Sequence, residues 1–189
     1  MKLPVIRIDL PTWVDSFVSW DKAYASDEEK ISLAIKLATE NVLQSTGGPF
    51  GAAIFDAQAG KLLSVGMNQV LRSNNSCLHA EVTAIMLAQA ALKSYSLNSN
   101  GMPRYELFTS CEPCCMCLGA ILWSGLSRVA CAATKDDASR IGFDEGPVYE
   151  SSYEYLRDRG IEVKRGLLRE EAVKAFDLYK EHGGIIYNG

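Results

Sequence analysis

No apolar run in the sequence approaches the roughly 20 residues a helix needs to span a bilayer, which excludes a helical membrane protein. Arg7 and Asp9 interrupt any apolar stretch between Met1 and Leu10, so the N-terminus is not read as a signal peptide. Internal repeats, low-complexity tracts and long linkers are also missing, and 189 residues without them suit one compact domain. Nor is there a surplus of positive charge. Nineteen Lys and Arg face 23 Asp and Glu, a net charge of −4. A protein that grips a phosphate backbone does so with Lys and Arg that displace counterions, so this balance argues against a nucleic-acid partner. The longest basic feature, Lys164-Arg165 with Arg157 and Arg159 nearby, reads as solvated surface. The expectation is a cytoplasmic protein with no membrane and no nucleic acid among its partners.

What is present begins with enough apolar residues, 48%, to bury a core without disulfides. Four of the six cysteines, Cys111, Cys114, Cys115 and Cys117, crowd into seven residues, a density that suits metal ligation in a reducing compartment. Residues 1–25, with Trp13, Phe17 and Trp20, read as an N-terminal extension that packs onto a domain spanning 26–189. Ser26-Asp27-Glu28-Glu29 is a capping box for a helix that carries Ile31, Ala34, Ile35 and Ala38 on one face and ends at Gly47-Gly48-Pro49. Two strands follow, Gly51 to Asp56 and Leu62 to Val70, then a helix from about His79 to Lys93. Further strands are expected over Tyr105 to Thr109, Arg128 to Thr134 and Ile161 to Leu168. Helices are expected over Cys114 to Trp123, up to about Arg159, and from Arg169 to Glu181, and an Asp- and Gly-rich turn follows Thr134. This alternation predicts a three-layer α/β/α architecture around a mixed sheet.

The chemistry concentrates in His79-Ala80-Glu81 and, some thirty residues later, Pro113-Cys114-Cys115-Met116-Cys117. Zinc takes soft thiolates and imidazole, and three protein ligands leave a fourth position open for water. His79, Cys114 and Cys117 would be those three, with Cys114 and Cys117 side by side on a first helical turn. Glu81, two residues from His79, does not share its helix face and is expected to move protons rather than bind metal. Both motifs fall at helix starts, where unpaired amides favour thiolates. Two other readings remain at this stage. Cys111-Glu112-Pro113-Cys114 is an overlapping C-x-x-C, so Cys111 is able to close a purely structural zinc shell. Taken singly, a histidine or a cysteine here is an ordinary core residue.

The spacing H-x-E…P-C-x-x-C resembles that of the zinc-dependent hydrolytic deaminases of the cytidine-deaminase superfamily. With Pro49-Phe50-Gly51-Ala52, Asn68, Thr109-Ser110-Cys111-Glu112-Pro113-Cys114, Cys117-Leu118-Gly119-Ala120 and Gly142-Phe143-Asp144, the chain from about residue 28 onward resembles the guanine deaminases of that superfamily. The resemblance implies the cytidine deaminase-like fold, one zinc ion per subunit and a small purine base as substrate, converted from guanine to xanthine with release of ammonia. It implies base contacts from Phe50, Asn68, Ala80 and Trp123, with Glu145 as a second proton carrier facing the N–H groups of guanine. The family more often has Asp where Glu145 stands. It further implies a domain-swapped homodimer in which the tail from Gly183 to Gly189 lids a pocket with Tyr187. Without the resemblance, Phe50 and Trp123 read as core, Asn68 as a turn residue, Asp144-Glu145 as a solvated turn and the tail as a frayed terminus. Alternatives within the chemistry are a tRNA adenosine deaminase or a deaminase of another aminated ring such as cytosine or a triazine. Outside it stands an inert zinc-stabilised interaction module.

Overall fold

The structure, a computed structural model, describes residues 3–188; Met1 and Lys2 of the expected extension and Gly189 of the expected tail lie outside the described residues. A short helix α1 (Val14–Phe17) precedes α2 (Asp27–Leu43), and strands β1 (Gly51–Asp56) and β2 (Leu62–Met67) follow. Helix α3 (Val70–Ser73) leads to α4 (Ala80–Leu92), β3 (Tyr105–Cys111), α5 (Cys115–Ser124) and β4 (Arg128–Ala133). The chain closes with α6 (Lys135–Arg140), α7 (Glu150–Asp158), β5 (Glu162–Lys164) and α8 (Arg169–Glu181). The strands form one mixed sheet in the order β2-β1-β3-β4-β5. β1 is antiparallel to both β2 and β3, whereas β3, β4 and β5 run parallel.

Strands buried on both faces need helices on both sides. One apolar cluster joins Ile31, Leu37, Phe55, Phe108 and Phe176 and packs α2 and α8 on one face. A second joins Ile54, Ala84, Leu107, Ile121 and Leu156 and packs α4, α5 and α7 on the other. The three-layer expectation is met. The N-terminal segment contributes Val14 and Val18 to the first cluster, and the Tyr24 N–H donates to Gly60 O at 2.9 Å.

Several boundaries differ from expectation for local reasons. Ser26 Oγ accepts the Glu29 N–H at 3.2 Å, but the Glu29 carboxylate reaches back to the Ala25 N–H, one residue earlier than a capping box requires. Helix α2 stops at Leu43, before the glycines, where Ser45 adopts a left-handed φ of 53°. Residues after Met67 leave the sheet because Asn68 Oδ1 accepts the Val70 N–H and starts a helical turn. The stretch read as a turn after Thr134 holds α6, started by a capping box between Thr134 and Asp137. β5 is three residues long rather than eight, since Gly166 turns the chain with φ at 79°.

At one end of the sheet, buried Lys30 pairs with Glu106, and Arg128 bridges Glu106, Asp27 and Glu162. This network anchors the start of α2 to β3, β4 and β5. The opposite end gathers the residue before β1, the residue after β2, the end of β3 and the starts of α4 and α5.

Candidate active site

His79 and Cys114 are the residues immediately before α4 and α5, and both hold extended backbones (φ −70°, ψ 161° and φ −66°, ψ 171°). Helix-capping side chains ordinarily turn back onto the first-turn amides. Neither does here. Instead His79 Nδ1 lies 3.4 Å from Cys114 Sγ and 3.7 Å from Cys117 Sγ. A tetrahedron with Zn–S near 2.3 Å and Zn–N near 2.0–2.1 Å has S···N edges of about 3.5 Å. All three ligand atoms lie within 4.8 Å of one another, so the donor set and its spacing fit zinc. Cys117 is the third residue of α5 and Cys114 its cap, so the pair is brought together by the cap geometry rather than by a shared helical turn.

The three donor groups are electrostatically coupled. The Cys114 thiol is lowered to about 4, chiefly by its hydrogen bond with Cys117 and then by His79. The same bond with Cys114, together with burial, pushes Cys117 up. Burial opposes charge on His79, yet the Cys114 sulfur and the Glu81 and Glu145 carboxylates outweigh it and raise its pKa. Cys111 takes no part. Its sulfur faces the Thr134 carbonyl at 3.5 Å and burial holds it as a neutral thiol, which removes the closed structural shell. Glu81, the second residue of α4, stands beside this set, its Oε2 3.4 Å from Cys117 Sγ. Burial and the neighbouring Cys114 sulfur raise the Glu81 pKa, the direction a proton carrier needs.

Phe50, Asn68, Glu145 and Tyr187 join His79, Glu81 and Cys114 around one pocket. Phe50 also packs edge-on against Phe143, with ring centres 5.0 Å apart, so it serves the core and the pocket together. The Glu145 carboxyl is pushed up to about 8 by burial and by the nearby Cys114 and Glu81 charges. Its backbone carbonyl accepts the Cys115 N–H at 3.0 Å, which fixes this loop to the start of α5. Tail residue Asn188 accepts the Asp144 N–H and donates to Gly142 O, and Tyr187 packs on Phe143. With Tyr187 in place about 30 Å³ remains inside, on the order of one water molecule. A wider depression of about 420 Å³ adjoins it and is bordered by His79, Cys114, Cys115, Glu145 and Tyr187.

Two expected residues are not brought to the pocket. Ala80 is fully buried in the α4-side core and gives the pocket no side chain. Trp123 is 81% exposed and borders a separate depression with Asn98 and Arg104. It sits in the last turn of α5, roughly 13 Å along the axis from the Cys114 end, too far to wall the same pocket. Conversely, Glu112, Phe143 and Asp144 line the pocket, although the sequence motifs that contain them assign them no role there. Glu112 is buried and accepts from the Lys135 N–H and Arg165, which holds the turn ahead of Pro113.

Residues 24–133 match the family described as the cytidine and deoxycytidylate deaminase zinc-binding region. The chain belongs to this family. Within it, the chain is 40% identical over 143 residues to the guanine deaminase of Bacillus subtilis (strain 168), covering 76% of this chain and 87% of that one. The solved guanine deaminase from Nitrosomonas europaea superposes with a TM-score of 0.88 at 38% identity, over 95% of this chain and 97% of that one. A solved complex with 2,6-diaminopurine reaches a TM-score of 0.90 at 41% identity, covering 96% of both chains. As a deaminase-family chain it is a zinc-dependent hydrolase, and His79, Cys114 and Cys117 are its candidate zinc ligands.

Proposed function

We propose that this chain hydrolyses guanine to xanthine and ammonia, with one zinc ion per subunit held by His79, Cys114 and Cys117. The observation that carries the reading is the 3.4 Å separation between Glu81 Oε2 and Cys117 Sγ, in a pocket that Phe50, Asn68 and Glu145 also border. Likeness to guanine deaminases and to a purine-bound structure supports the choice of base.

Zinc in this position supplies Lewis acidity, which lowers the pKa of a coordinated water toward about 7. Glu81 takes a proton from the attacking water and returns it to the exocyclic nitrogen that leaves. The new C–O bond forms at the ring carbon whose C–N bond breaks, so guanine and water give xanthine and ammonia. Phe50 offers an aromatic face to the base, and the Asn68 amide offers donor and acceptor together. A Glu145 carboxyl held near 8 keeps a proton to give and a carbonyl oxygen to accept a guanine N–H. Tyr187 borders both the inner pocket and the adjoining depression, so a shift of the tail would admit the ring beside Phe50 and Asn68.

The proposal extends to a cytoplasmic homodimer that exchanges its tails. The described chain docks its tail on its own pocket; exchange would make the same contacts across two copies. Exposed Trp123 and Met86, on adjoining helices α5 and α4, give a second copy apolar surface to cover. No helix among the described residues is long and apolar enough to cross a membrane. Ammonia release from guanine by the zinc-loaded protein tests the function, and sedimentation at micromolar concentration tests the dimer.

A further inference from the structure

The loops that carry Phe50 and Asn68 come together at a buried amide that the reaction does not use. Asn41, in the last turns of α2, is fully buried. Its Nδ2 donates to two carbonyls, Gly48 O at 2.9 Å and Asn68 O at 2.9 Å. One side chain thereby ties the segment entering β1 to the segment leaving β2. Its Oδ1 accepts the Thr46 hydroxyl at 2.7 Å, and Thr46 Oγ1 in turn accepts the Trp13 Nε1–H at 3.0 Å. The amide orientation is fixed by this chain, since both N–H groups and the oxygen have partners.

The packing around the amide leaves little slack. A Cβ on Gly47 would lie 1.9 Å from Asn68 O and 2.7 Å from Asn41 Nδ2. A Cβ on Gly48 would lie 1.9 Å from the Tyr187 hydroxyl. The two loops therefore meet backbone to backbone, with the lid residue pressed on one of them. The Asn68 N–H also donates to Phe50 O at 3.0 Å, so the two base-facing residues are mutually registered.

We propose that Asn41 is a positioning residue for the base pocket, and that the N-terminal segment acts on the pocket through Trp13, Thr46 and Asn41. Trp13 touches neither the pocket nor the zinc ligands, and α1 holds it by burying Val14 beside it. The segment thus sets the spacing between Phe50 and Asn68, and with it the fit of a planar ring, without contacting the ring. This inference rests on the guanine-deaminase reading for its kinetic signature only.

The test uses Trp13→Phe, which removes the first hydrogen bond of the relay, and Thr46→Val, which keeps the side chain's shape and removes both bonds of the hydroxyl, with Asn41→Asp as the stronger variant. The whole chain is used, zinc-loaded. A lost neutral hydrogen bond in this relay predicts a roughly three- to tenfold rise in KM for guanine, with kcat and zinc content retained. Amide hydrogen exchange at Phe50 and Asn68 is predicted to quicken in all three variants. A lowered Tm with unchanged KM and unchanged exchange at those two amides would overturn the relay and leave Trp13 as an ordinary packing residue. If the wild-type chain releases no ammonia from guanine, the function fails and the exchange rates alone decide the relay.

Discussion

Glu81 Oε2 stands 3.4 Å from Cys117 Sγ, although the two residues belong to different helices on the same side of the sheet. The contact exists because α4 and α5 both begin at one end of the sheet, with His79 and Cys114 immediately before them. Under the proposed function, a carboxylate so placed would exchange protons with the attacking water rather than hold the metal. Glu81→Gln should bind zinc as the native chain does and lose activity by about 10²–10⁴-fold, the usual weight of general acid–base catalysis. Metal analysis beside ammonia release checks both halves.

Replacement of Cys114 or Cys117 by Ala should release zinc, and the Tm should fall because metal binding is linked to folding. Metal content is the readout. A Cys117→Ala protein that holds zinc as firmly as the native chain contradicts the ligand set. Cys111→Ala, by contrast, should keep its zinc, since the Cys111 sulfur faces Thr134 O.

The metal motif was legible in the sequence because His79, Glu81, Cys114 and Cys117 lie within two short segments whose helix starts are also local signals. The α/β/α layering was legible for a similar reason, through alternating strand and helix patterns. Trp123 shows where such reading stops. Its distance of six residues from Cys117 says nothing about which end of α5 faces the zinc. Asn41 was invisible because its partners, Gly48 and Asn68, are set by tertiary packing. Helix α6 has a start signal in the sequence, Thr134 and Asp137 at capping-box spacing, but it is masked by a stretch otherwise rich in turn formers.

Glu145→Ala should leave zinc bound and cut kcat/KM on guanine by at least tenfold, because the residue faces the pocket and carries a proton near neutral pH. Steady-state kinetics with metal analysis measure this. Unchanged kcat/KM would take Glu145 out of the reaction.

Removing residues 183–189 deletes Tyr187 from the pocket and Asn188 from the 142–144 loop. Turnover on guanine should fall, while zinc content should stay the same, since no tail residue is a ligand. Kinetics equal to those of the full chain would remove the lid.

Acid should unfold the protein through Asp27 and Asp137. Arg128 and Lys164 hold the Asp27 carboxyl below its ordinary value, and Arg169 and Thr134 do the same for Asp137. A lowered folded-state pKa means the unfolded state binds the proton more readily. The stabilisation is therefore present in full above about pH 4 and drains away as pH falls below it. Thermal unfolding at successive pH values should show a loss of Tm below pH 4. Asp137→Asn should lower Tm at pH 7 and flatten that loss.

The most direct test of the account is parallel ammonia release by the zinc-loaded chain from guanine, adenine, cytosine, cytidine and a tRNA anticodon stem. Guanine should run far ahead of the other four. Preference for adenine, a cytosine compound or the tRNA stem would contradict the base assignment of Phe50, Asn68 and Glu145 while keeping the zinc chemistry, and silence on all five with zinc bound would contradict both.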